Sequence, residues 1–180
     1  MYAETLKLIA TFAERSPSPA LPSRLDSLFR RLAATTQPIE ANQTEERIWE
    51  LWMTHPNAAA ARALDRAATD IAARLYDIAE TRLAALLRAL PDFPEAWNKR
   101  ATLYYLLDRD DDFVQDVHRT LILEPRHFGA ICGFAEVCLG RGQREAALFA
   151  FRAALRINPH LADVQETVAN LDAKGPGTAH

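Results

Sequence analysis

The chain has 180 residues, a formal net charge of −3 and 49% hydrophobic residues, enough length and apolar content to bury a core. Its apolar residues include 33 Ala and 23 Leu but only 8 Ile and 5 Val, a bias toward helix formers that excludes the Val/Ile-rich runs of a parallel sheet. All six Gly lie at or after Gly129, and neither G-x-G-x-x-G nor G-x-x-x-x-G-K-[ST] occurs, so the usual nucleotide-binding loops are excluded. The expected class is all-α.

The first 22 residues are expected to form a helix followed by a Pro/Ser linker, with Ser16, Pro17, Ser18, Pro19 and Pro22 marking the break. The apolar stretch from Leu8 to Ala13 lacks a basic segment before it, which favours an amphipathic helix and a cytoplasmic protein. Export to the periplasm through a degenerate signal segment is the alternative. Residues 23–59 read as a degenerate helix pair or N-terminal cap. The first helix begins after Ser23 and carries Leu25, Leu28, Phe29 and Leu32. After a break at Thr35–Pro38, a second helix near Asn42–Thr54 carries Ile48, Trp49, Leu51 and Trp52. Trp49 and Trp52 are expected to pack on the first full repeat. No apolar run approaches the roughly 20 residues of a membrane-spanning helix.

From residue 60 onward the sequence repeats with a period of 34. Pro91, Pro125 and Pro159 share one column, Ala67, Ala101, Ala135 and Ala169 another, and Leu87, Leu121 and Leu155 a third. Each unit reads helix, short turn, helix, proline. In residues 94–127, Pro94 and Glu95 open a helix at its positive end. Trp97, Ala101, Tyr104 and Leu107 then recur at helical spacing. Asp108–Asp112 break the pattern, and Phe113, Val117 and Leu121 form the second stripe. The units are 60–93, 94–127 and 128–161, followed by a capping helix at 162–172 and a disordered tail at 173–180.

These columns resemble the tetratricopeptide repeat (TPR) family. Trp97 and Ile131 stand at its early large position, Ala67, Ala101 and Ala135 at the helix crossing, and Tyr104 at its first-helix aromatic. Ala79 and Ala147 open the second helices, and the terminal proline is present three times. Phe113 departs from the pattern: a ring stands where close helix approach is expected, so local widening is expected there. The resemblance implies a right-handed superhelix of antiparallel helix pairs, a TPR-like α-solenoid with an N-terminal helical cap and a C-terminal capping helix. It also implies a non-catalytic scaffold that binds a protein or peptide partner along the groove lined by the first helices. The groove columns name Asn98, Thr102, Tyr105, Glu136, Cys132 and Leu64 as candidate contacts, Asn98 first because a side-chain amide can hold an extended backbone. Leu64/Ala68, Asn98/Thr102 and Cys132/Glu136 stand where some family members hold a partner's C-terminal carboxylate with Lys and Arg. They contain no cation, so a chaperone-tail partner is not expected. Self-association into a homo-oligomer is the alternative use of such a module.

Other chemistry is thinly represented. The 18 Arg and 3 Lys are scattered among 24 acids, so no basic stripe points to nucleic acid. Asp108-Arg109-Asp110-Asp111-Asp112 opens like a calcium loop, but Phe113 and Arg119 stand where its Gly and Glu belong. Those acids are expected to cap the following helix. His127 and His160 adjoin the repeat-ending prolines, where they are expected to hydrogen-bond last-turn carbonyls. Cys132 and Cys138 are six apart and read as buried fillers, with no disulfide framework. No cofactor, metal or catalytic constellation is expected.

Overall fold

The computed structural model describes residues 1–173 and is helical throughout, with no strand among the described residues. The tail expected at 173–180 lies outside the described residues beyond Ala173. The helices are α1 (Tyr2–Ala10), α2 (Arg24–Ala34), α3 (Pro38–Met53), α4 (Ala58–Ala72), α5 (Tyr76–Ala89), α6 (Pro94–Leu106), α7 (Asp110–Leu123), α8 (Phe128–Gly140), α9 (Arg144–Ile157) and α10 (Ala162–Ala173). A short 3₁₀ turn, Phe12–Glu14, follows α1. Helices α4/α5, α6/α7 and α8/α9 pack as pairs, α5 meets α6, α7 meets α8, and α10 closes on α9. This is an all-α repeat array.

The alanine columns explain why the pairs come so close. Ala67, Ala101 and Ala135 are fully buried, as are Ala79 and Ala147, and their missing bulk lets neighbouring backbones approach. Ala169 continues the column but is exposed, because among the described residues no helix follows α10 to cover it. A Cβ built on Gly133 would lie 3.2 Å from Phe113 Cζ, so the ring occupies space left by a glycine in the facing helix.

A further column becomes visible only in the backbone. Arg74, Asp108 and Gly142, each 34 residues from the next, turn the chain between the helices of a pair with φ of 59°, 54° and 73°. The next N–H reaches back to the carbonyl of Asp70, Tyr104 or Cys138 respectively, a left-handed helix stop made three times over.

The N-terminal third is built into the array. Helix α1 lies against α7 and α9, with Ile9 and Thr5 fully buried and Arg141 donating to the Tyr2 hydroxyl at 2.7 Å. The following linker is tied to the end of α7: Ser18 N–H donates to the Leu123 carbonyl, and Arg15 donates to the Leu121 and Ile122 carbonyls. Helix α3 starts at Pro38, earlier than the sequence pattern suggests, because proline suits a first turn. Trp49 and Trp52 do not rest on the first repeat. They pack on His127 and Phe128, where the third repeat begins. At the far end, Asn158 donates to Glu45 and His160 Nε2 lies 3.0 Å from the Leu32 carbonyl, so α2 and α3 run along the inter-repeat turns.

Candidate functional site

Between α6 and α8 the array leaves a cavity of about 250 Å³, lined by Asn98, Thr102, Tyr105, Phe113, Gly129, Ala130, Gly133 and Glu136. The 34-residue register puts Asn98, Thr102 and Tyr105 on one face of α6 and Glu136 on the matching face of α8. Four of the six expected contacts therefore meet at one place. Thr102 and Glu136 are exposed, and Tyr105 is 46% exposed with its ring 5.9 Å from that of Phe113. Gly129 and Gly133, one turn apart on α8, leave part of the wall without side chains.

The other two contacts do not belong to this surface as expected. Leu64 is fully buried in the core of the first pair, among Ala60, Ala67 and Leu83 with Met53 of α3 packed against them. Its apolar side chain is spent on packing and is not a groove contact. Cys132 is partly buried beside the cavity but does not line it. Burial, reinforced by the charges of Glu136 and Glu45, pushes its thiol up to about 12, so it is held as an inert thiol. Burial likewise pushes Cys138 up to about 11. Both cysteines are free.

Asn98 lines the cavity, yet its amide is engaged elsewhere. Its Nδ2 lies 3.2 and 3.3 Å from the two carboxylate oxygens of Glu95, which is wholly buried in the first turn of α6. Glu95 also accepts from Lys99 Nζ at 3.0 Å and lies 2.8 Å from His127 Nε2. His127 caps α8: its Nδ1 accepts from the Ala130 N–H, so the ring proton sits on Nε2 and is donated to Glu95. Burial raises the Glu95 carboxyl, but the His127 hydrogen bond and the adjacent Lys99 charge outweigh this and hold it below its ordinary value. The His127 ring stacks on Trp52 with centroids 4.0 Å apart and planes 9° apart. Trp49 crosses above Gly129, where an added Cβ would lie 2.5 Å from the indole. Helix α3 thus covers the N-terminal ends of α6 and α8, leaving the Thr102–Tyr105–Glu136 part of the groove open.

This buried network was not among the candidate sites. Its one sequence signal is a column, Phe93, His127 and Leu161, in which a histidine interrupts two apolar residues. His160 does bond a last-turn carbonyl, although of α2 rather than of a repeat helix. The acidic run occupies the first turn of α7, where the helix dipole favours negative charge, and is tied down by Arg109 and Arg141. Asp116 pairs with Arg100 at 2.6 Å.

No protein-family model matches the chain. It is 30% identical over 164 residues to a TPR repeat-containing protein of Rhizobium etli, covering 91% of this chain and 80% of that protein. The match covers most of both proteins, and with the 34-residue helix pairs it places this chain among the TPR repeat-containing proteins.

Proposed function

We propose that the chain is a non-catalytic scaffold that holds a protein or peptide partner in the groove between α6 and α8. The observation that carries this reading is the open cavity at the repeat junction, where exposed Thr102, Tyr105 and Glu136 adjoin a glycine wall. An aromatic ring, a hydroxyl and a carboxylate around a glycine wall suit a side chain or backbone laid against the helices. Dispersed arginines support a protein rather than a nucleic-acid partner, and the absence of cations from the groove columns disfavours a carboxylate tail. No helix among the described residues is long and apolar enough to cross a membrane. The free thiols and the packing of α1 into the core support a cytoplasmic location.

The test is affinity purification from the native host with wild-type protein and with a Thr102→Ala/Tyr105→Ala double variant. These two residues are exposed, so the variant should fold with unchanged melting and lose the wild-type partner. Unchanged recovery of every partner sinks the groove assignment.

A second reading, self-association, is favoured by the outer face of the first pair. There, half-exposed Ile78 lines a cavity of about 550 Å³ with Ala63 and Leu86, next to half-exposed Leu75. Burying that edge in a second copy should make the light-scattering mass rise with concentration; a monomer at high concentration rules it out.

A further inference from the structure

The protein holds its own arginines in a repeated way, between an aromatic ring and a carboxylate. Arg109 lies 4.3 Å from the Tyr104 ring centroid and pairs with Asp112 and Glu80. Arg126 lies 4.4 Å from Phe29 and pairs with Glu124 and Asp26. Arg141 lies 4.7 Å from Tyr2, near Asp110 and Asp111. In each case the guanidinium carbon lies over a ring while its N–H groups reach or approach oxygen, the two interactions for which arginine is better suited than lysine.

The groove cavity has the same walls without the cation. Tyr105 and Phe113 supply rings, Glu136 supplies a carboxylate, and no lysine or arginine is among the lining residues. Glu136 is exposed and has no hydrogen bond or ion pair among the described residues. The two basic residues of α6 are engaged elsewhere: Lys99 is taken up by Glu95 and lies over Trp49, and Arg100 pairs with Asp116. The volume, about 250 Å³, is below the roughly 300–1,000 Å³ of sites for whole small molecules and suits one long side chain. The Phe113 ring, packed over Gly133, closes the floor of the cavity against α8, so such a side chain would lie on rings rather than on aliphatic groups there.

We propose that this cavity receives an arginine side chain of the partner polypeptide, its guanidinium stacked on Tyr105 and hydrogen-bonded to Glu136. The inference rests on the groove reading above and gives that groove its chemical preference. The Thr102 hydroxyl donates to the Asn98 carbonyl, which leaves its oxygen lone pairs free to accept from the guanidinium. Recognition is by charge, ring face and fork geometry together. A neutral isostere therefore loses most of the binding.

The probes are N-acetyl-arginine amide and its neutral counterpart N-acetyl-citrulline amide, titrated at millimolar concentration into the full chain and followed by amide chemical shifts. Arginine amide should shift Gly129, Gly133, Tyr105 and Glu136 in one saturable process that weakens with salt. The citrulline compound should bind about tenfold more weakly, the loss of one charge-assisted contact. Glu136→Gln should weaken arginine by a similar factor, and Tyr105→Leu should weaken it while leaving melting unchanged. Equal shifts for both probes, no localised shift, or unaltered arginine binding by Glu136→Gln overturns the proposal. A native partner lost on Tyr105→Ala but retained in full by Glu136→Gln overturns the arginine assignment and leaves the groove reading standing.

Discussion

Trp52→Ala is expected to lower unfolding free energy by about 3–5 kcal/mol, the usual range for truncating a large buried aromatic. Trp52 is fully buried at the point where α3 meets the turn between the second and third repeats. It stacks on His127 and lies 5.0 Å from Trp49, 5.2 Å from Phe128 and 6.0 Å from Phe29, measured between ring centroids. Removing it opens a void that four rigid rings cannot fill without leaving their positions. The indole also carries a cost of its own. Its Nε1 is buried with no hydrogen-bond partner, so part of the packing gain is offset by a lost bond to water. Trp52→Phe discards that orphan N–H while keeping a ring against His127, and should therefore cost clearly less than the alanine variant. Urea unfolding of both variants decides the matter. A loss below about 1 kcal/mol for Trp52→Ala would mean that α2 and α3 are not held by this contact.

The parts of this architecture that were legible in the sequence are those that recur in kind. Pro91, Pro125 and Pro159 end the repeats, and Ala67, Ala101 and Ala135 mark the crossings, because each does one steric job at one recurring place. The left-handed turn column was hidden because the same backbone conformation is taken by Arg74, Asp108 and Gly142, three residue types with no common side-chain signal. Phe113 departs from the pattern when read alone, since the explanation is its pairing with Gly133 across two helices. Leu64 fell in a groove column yet is buried, because packing in the first pair claims a side chain that register alone assigns to the surface. Likewise, the docking of Trp49 and Trp52 joins residues far apart in the chain. Helical periodicity shows which side of α3 is apolar, but not which turn it will cover.

Glu95 should make stability depend on pH in a way that can be separated from the other carboxylates. Wholly buried, it accepts from His127, Lys99 and Asn98, and its carboxyl is held below its ordinary value. An acid with a lower pKa folded than unfolded binds fewer protons in the native state, so its ionised form adds stability above the unfolded value of about 4.3. That contribution is lost as pH falls through the folded value. Glu95→Ala leaves the His127 N–H and the Lys99 ammonium facing a site with no acceptor, and should cost about 3–5 kcal/mol at pH 7. The deficit should shrink as pH falls below the ordinary carboxylate range, where the wild type begins to lose its own advantage. Taking wild type minus variant at each pH cancels the slopes of carboxylates left unchanged in both. A deficit that stays flat below pH 4, or widens there, would show that Glu95 is not the ionised centre joining α6 to the third repeat. If it narrows as expected, the residue that opens α6 does more than start a helix: its charge holds together His127, the cap of α8, and Lys99 beneath Trp49, and so fixes the closed end of the groove.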